Sequence, residues 1–88
     1  MKVDSTKKIN KKVVTVGPKK RSLTVNGHRT SVSIEDPFWH FLANLAQKQD
    51  KAVNELVSEI DIQREPNVGL ATSVRIYCLE KALQSSLI

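Results

Sequence analysis

Chemistry in this 88-residue chain begins with its cations. Lys7, Lys8, Lys11, Lys12, Lys19, Lys20 and Arg21 crowd the N-terminal region. Residues 1–30 hold nine basic residues against one acid, a net of +8, whereas residues 31–88 hold five against eight, a net of −3. Clustered ammonium and guanidinium groups attract polyanions over a screening length of about 8 Å. Each phosphate they neutralise releases counterions, which gives salt-sensitive affinity blind to base sequence. Phosphate contact is therefore the role expected of Lys12, Lys19, Lys20 and Arg21; a tail that only aids solubility is the plainer alternative.

The other polar residues do not assemble into a catalytic set. His28 and His40 stand far apart in register, with no nucleophile or carboxylate at a matching spacing. Asp36, Glu59 and Asp61 would need a cleft to desolvate them, which so short a chain scarcely offers. The glycines at 17, 27 and 69 form no phosphate loop. A single cysteine, Cys78, excludes an internal disulfide and a cysteine-based zinc site, and it suits a small core position. No enzymatic activity, metal or cofactor is expected. No apolar run approaches the roughly 20 residues that cross a bilayer, and Lys and Asn occupy the place of a signal peptide's apolar segment. The expectation is a soluble cytoplasmic protein without a membrane partner.

The elements that must position these groups follow from periodicity. Residues 1–20 carry little apolar material beyond Val13, Val14 and Val16, so a mobile basic arm is expected there, with a strand over Lys12–Val16 as the alternative. The folded domain is expected over residues 21–88. From Arg21 the period is two. Leu23 and Val25, then Thr30, Val32 and Ile34, alternate with polar residues around Asn26-Gly27, the strongest short hairpin signal because both turn residues accept positive φ. The register sets Val25 opposite His28 and Leu23 opposite Thr30, which places the apolar set on one face.

After Ile34 the period becomes helical. Asp36-Pro37 reads as an N-cap with proline at the first helical position, and Phe38, Phe41, Leu42 and Leu45, widened by Trp39 and Ala46, form a stripe that ends near Lys48. A second helix starts at Asp50 or its neighbours, with Val53, Leu56, Val57 and Ile60 on one side, and Pro66 stops or follows it. A third, roughly Leu70 to Ser85, carries Leu70, Val74, Tyr77, Cys78 and Leu79, with Ala82 and Leu83 beyond. The class is α+β, mainly helical. Two strands are not stable alone in water, and pairing between two chains would remedy this.

The run Arg29-Thr30-Ser31-Val32-Ser33-Ile34, a proline-led helix, and then the segment from Ala46 to Val57 with its Val53-Asn54 start resemble the ribbon-helix-helix family of Arc/MetJ-type repressors. The likeness spans about residues 28–63 without a gap. The extra hairpin strand, Glu59-Ile60-Asp61 and the run Ser73 to Glu80 in a third helix resemble a bacterial subgroup of that superfamily. The resemblance implies a homodimer in which two chains each lend a strand to a β-ribbon entering the major groove. Arg29, Ser31 and Ser33 would be its base-contacting residues, with Arg29 able to grip guanine O6 and N7. It also implies a phosphate held at the start of the second helix, here Lys51 and the amides of Val53 and Asn54. Ala52 stands where the family often has serine or threonine, and Asp50 as a plain N-cap is the competing reading.

The function so implied is a sequence-specific, nucleoid-associated transcriptional regulator, specifically a repressor, binding double-stranded DNA as a homodimer. Two alternatives come from other classes. One is an antitoxin-like interaction module with a protein partner on the third helix, suggested by Leu83, Leu87 and Ile88; the other is a non-specific nucleic-acid binder acting through the arm.

Overall fold

The computed structural model describes residues 17–87, so Lys7, Lys8, Lys11, Lys12, the strand alternative over 12–16 and Ile88 lie outside the described residues. Strands β1 (Lys19–Val25) and β2 (His28–Ile34) are followed by helices α1 (Asp36–Lys48), α2 (Val53–Gln63) and α3 (Leu70–Leu87). β1 begins at Lys19, two residues inside the stretch expected to be arm.

The hairpin forms within one chain, β1 antiparallel to β2, in the register expected: Val25 opposite His28, Leu23 opposite Thr30, and onward to Lys19 opposite Ile34. Asn26 and Gly27 have φ of 50° and 83°, the two positive values that a tight primed turn demands. Leu23, Val25, Val32 and Ile34 are buried on one face. They pack with Leu42 and Ala46 of α1, Leu56, Val57 and Ile60 of α2, and Val74 and Cys78 of α3 in a single core, which Phe38, Trp39, Phe41 and Leu45 flank half-buried. Among the described residues no polar or charged side chain is buried.

Two helix starts differ from the sequence reading. The N-cap of α1 is Glu35, extended at φ −68° and ψ 149°, and Asp36 is already helical. The Asp36 carboxylate is turned toward Arg21 and Lys19 of β1 and so does not fold back on the helix amides. Asp50 does not cap α2; it ends α1. With φ of 58° it sits in the left-handed position after the C-cap Gln49. Its amide bonds Gln47 O at 3.0 Å and that of Lys51 bonds Ala46 O at 2.9 Å, the paired bonds of a Schellman ending. α2 then starts at Val53 with Ala52 as N-cap. Glu55 Oε1 accepts from the Ala52 amide at 3.0 Å, half of a capping box whose other half Ala52 has no oxygen to supply.

The third helix also differs at Leu79, expected among its apolar side. Leu79 is 56% exposed, and with Ile76 at 48% and Leu83 at 54% it forms an open stripe along α3.

Candidate nucleic-acid interface

Alternation along the hairpin leaves six side chains on the face away from the core: Lys20, Ser22 and Thr24 from β1, and Arg29, Ser31 and Ser33 from β2. Two are cations, four carry hydroxyls, and none is a carboxylate. The three base-contacting candidates, Arg29, Ser31 and Ser33, are all exposed and lie in one row. Thr24, directly opposite Arg29, accepts a hydrogen bond from its Nη1 at 3.3 Å and so braces the guanidinium on this face. Thr24 was not anticipated, although counting back from Asn26-Gly27 puts it across from Arg29.

The two lateral edges of the sheet differ. In a two-residue hairpin the pair beside the turn exchanges both ladder bonds, and alternate pairs repeat this. His28, Thr30, Val32 and Ile34 therefore direct their backbone groups to β1, while Arg29, Ser31 and Ser33 direct theirs outward. On β1, the outward groups nearest the turn meet α2. There the Thr24 amide donates to Asn54 Oδ1 at 3.4 Å. At the turn, the Asn26 amide donates to Ser58 Oγ at 3.0 Å and its side-chain amide to Asp61 at 3.0 Å. On the β2 side, among the described residues, only the Ser33 carbonyl is engaged, by Arg75 Nη2 at 3.1 Å.

Two guanidinium clamps fix this sheet to the helices. Arg75 of α3 bonds both oxygens of Glu35 at 2.9 and 3.1 Å, and lies 5.9 Å from the Phe38 ring. Arg21 bonds the Ile34 carbonyl at 3.0 Å through Nη2 and the Asp36 carboxylate, over the Trp39 ring at 5.0 Å. The Arg75 hydrogen bonds hold the Glu35 carboxyl below its ordinary 4.5, and those from Arg21 and then Lys19 hold Asp36 below 3.8. The strand-to-helix junction is thus pinned on both sides of Ile34.

These clamps redistribute the candidate phosphate ligands. Arg21 is on the inward face with its side chain only 17% exposed, committed to Asp36. Lys19 is also on that face, with Nζ 3.0 Å from Asp36. Lys20 is exposed on the outward face, opposite Ser33. At the start of α2, Lys51 lies 2.7 Å from the Glu59 carboxylate and the Asn54 side chain is turned to β1, so these groups sit beside the sheet edge among Asp50, Glu55 and Glu59. Lys12 lies outside the described residues.

Among the described residues nothing gathers the other reactive groups. His28 beside the turn and His40 on α1 are exposed and separate. Cys78 is buried, and burial pushes its thiol up to about 11, so it holds no thiolate near neutrality. Among the described residues no cluster of three metal-ligating side chains occurs, and no helix is long and apolar enough to cross a membrane.

A family model for the ribbon-helix-helix domain matches residues 18–82, well over half of the chain, and spans both strands and most of α3. The chain belongs to the ribbon-helix-helix family. No curated protein and no solved structure gives a significant match. Ribbon-helix-helix membership points to DNA binding in transcription regulation as the class of activity, a non-enzymatic one. In this ribbon-helix-helix chain the ribbon is an intrachain hairpin, and among the described residues only the Ser33 carbonyl on the outer edge of its second strand has a partner.

Proposed function

We propose that the protein is a homodimeric, sequence-specific double-stranded DNA-binding regulator, a repressor that acts on the nucleoid in the cytoplasm. The observation that carries this reading is the edge of β2, where among the described residues only the Ser33 carbonyl has a partner, beside a row of Arg29, Ser31 and Ser33 with no acid on the same face. Two β2 strands pair across that edge about a two-fold axis, and their shared outward row enters the major groove, which accommodates a two-stranded ribbon. Arg29 contributes a bidentate contact to guanine worth about 1–3 kcal/mol of discrimination, and the serines donate or accept at neighbouring bases. Lys12 of the arm, and Lys51 with the amides of Val53 and Asn54, supply phosphate contacts; Lys19 and Arg21 hold the junction through Asp36.

Selection of binding sites from random duplex DNA with the full chain tests the reading. It predicts an enriched inverted repeat with half-sites related by the dimer axis. Retention of all sequences alike would leave only charge-driven binding. The stripe Ile76, Leu79 and Leu83 favours a second role alongside the first, a protein contact on α3, and a stable hetero-complex lost with Leu79→Asp would establish it.

A further inference from the structure

The position of β1 in the sheet has consequences for how DNA is held. We infer that β1 is a backbone-contacting rail, with Lys20 and Ser22 of each protomer meeting the phosphates that line the two rims of the major groove. This rests on the reading of β2 as the paired, base-facing strand.

The argument starts from the edges. α2 stands against the turn end of β1, with the Thr24 amide taken by Asn54, and blocks a partner strand there, so pairing between chains falls to β2. The dimer then contains a four-stranded sheet in the order β1, β2, partner β2, partner β1. Adjacent strands lie about 4.8 Å apart, so the outer two are separated by about 14 Å, whereas the major groove is about 12 Å wide. The inner pair fits inside the groove and the outer pair does not. Each β1 is left over a rim, where phosphates and not base edges are presented.

The side chains at that position suit phosphate. Lys20 and Ser22 are exposed on the outward face, opposite Ser33 and Ser31, and among the described residues neither side chain has a hydrogen-bond or ion-pair partner. The contrast with Lys19 is one of parity. Lys19 projects inward and is held by Asp36, while Lys20 projects outward and has no partner among the described residues. An ammonium and a hydroxyl on a face without carboxylates match an anionic backbone in charge and in donor chemistry. Thr24, the third member of the row, is already occupied in bracing Arg29.

The test measures affinity of the full chain for its selected duplex and for a random duplex between 50 and 200 mM salt. Lys20→Ala is expected to reduce the slope of log affinity against log salt by about 2 per dimer, roughly 0.9 for each lost phosphate contact, on both duplexes. Preference between the duplexes stays as in the wild type. Ser22→Ala weakens both by a similar several-fold factor and leaves the slope unchanged. Lys81→Ala, on α3 against the Tyr77 ring, is the control of equal charge and keeps the wild-type slope. A wild-type slope in Lys20→Ala, or an equal reduction in Lys81→Ala, overturns the inference while the base-reading role of β2 stands. A wild-type protein with no preference for any duplex removes both.

Discussion

The two strands of the hairpin are equally long and alternate in the same way, yet their outer edges are treated oppositely. β1 is met by α2 at its turn end, through Asn54 at Thr24 and Ser58 at the turn residue Asn26. β2 leaves the backbone of Arg29 and Ser31 without a partner among the described residues, beside the face that carries the guanidinium and the hydroxyls. An unprotected strand edge templates pairing with other chains, and folded proteins ordinarily cover it. On the proposed reading, association would then fall to β2, and the strand that pairs would also be the strand that presents Arg29, Ser31 and Ser33 to a duplex.

The comparison can be broken most completely from below. Val32 is 4% exposed within the chain's own core, so Val32→Asp places an unpaired carboxylate there at a cost of more than about 4 kcal/mol. Native domains have only about 5–15 kcal/mol in total, and one this small sits toward the lower end. The variant should lose its helical circular dichroism at 25 °C, which means that it reports on folding and not selectively on association.

Proline is a cleaner probe of the edges. Ser31→Pro removes an amide that points to the open side of β2, whereas Ser22→Pro removes its counterpart on the α2 side of β1. Sedimentation equilibrium should show at least a tenfold weaker dimer for the first and a near wild-type dimer for the second, with helical content kept in both. Equal behaviour would erase the distinction between the edges. Arg29→Ala should then lower discrimination at one base pair per half-site by about 1–3 kcal/mol in competition binding. Thr24→Val, which removes only the brace, should lower it by less.

Much of this arrangement was legible in the sequence, and the exceptions share a cause. Asn26-Gly27 fixes a two-residue turn, and counting outward from it gives every cross-strand pair and both faces. The same parity puts Arg21 and Lys19 on the inward side with Leu23 and Val25, although the net charge of the region drew them into the phosphate set. Asp36 and Asp50 each have the composition of an N-cap. What decides against that role is a guanidinium 15 positions away in one case and the Schellman bonds closing α1 in the other. The contacts of Asn54 with Thr24 and of Ser58 with Asn26, and the Arg75 clamp 40 positions from Glu35, depend on tertiary contacts that no local pattern encodes.

The smallest effect concerns the clamps that set the sheet on its helices. Glu35 and Asp36 have carboxyls held below 4.5 and 3.8, so their contribution to stability is complete above those values and is lost as the pH falls through the lowered ones. Thermal melts between pH 7 and pH 3 should show a declining midpoint in the wild type. Asp36→Asn should start from a lower midpoint and decline less, and an unchanged decline would assign the acid sensitivity elsewhere.

The central claim is that β2 pairs with its own copy through the edge that β1 does not cover. Amide hydrogen exchange of the full chain, resolved by residue and followed from low to high protein concentration, tests it most directly. The account predicts slow, concentration-dependent exchange at Arg29 and Ser31, with the amide of Ser22 unaffected by concentration. Fast exchange at Arg29 and Ser31 at every concentration, in a chain whose Val32 amide is protected, would contradict it.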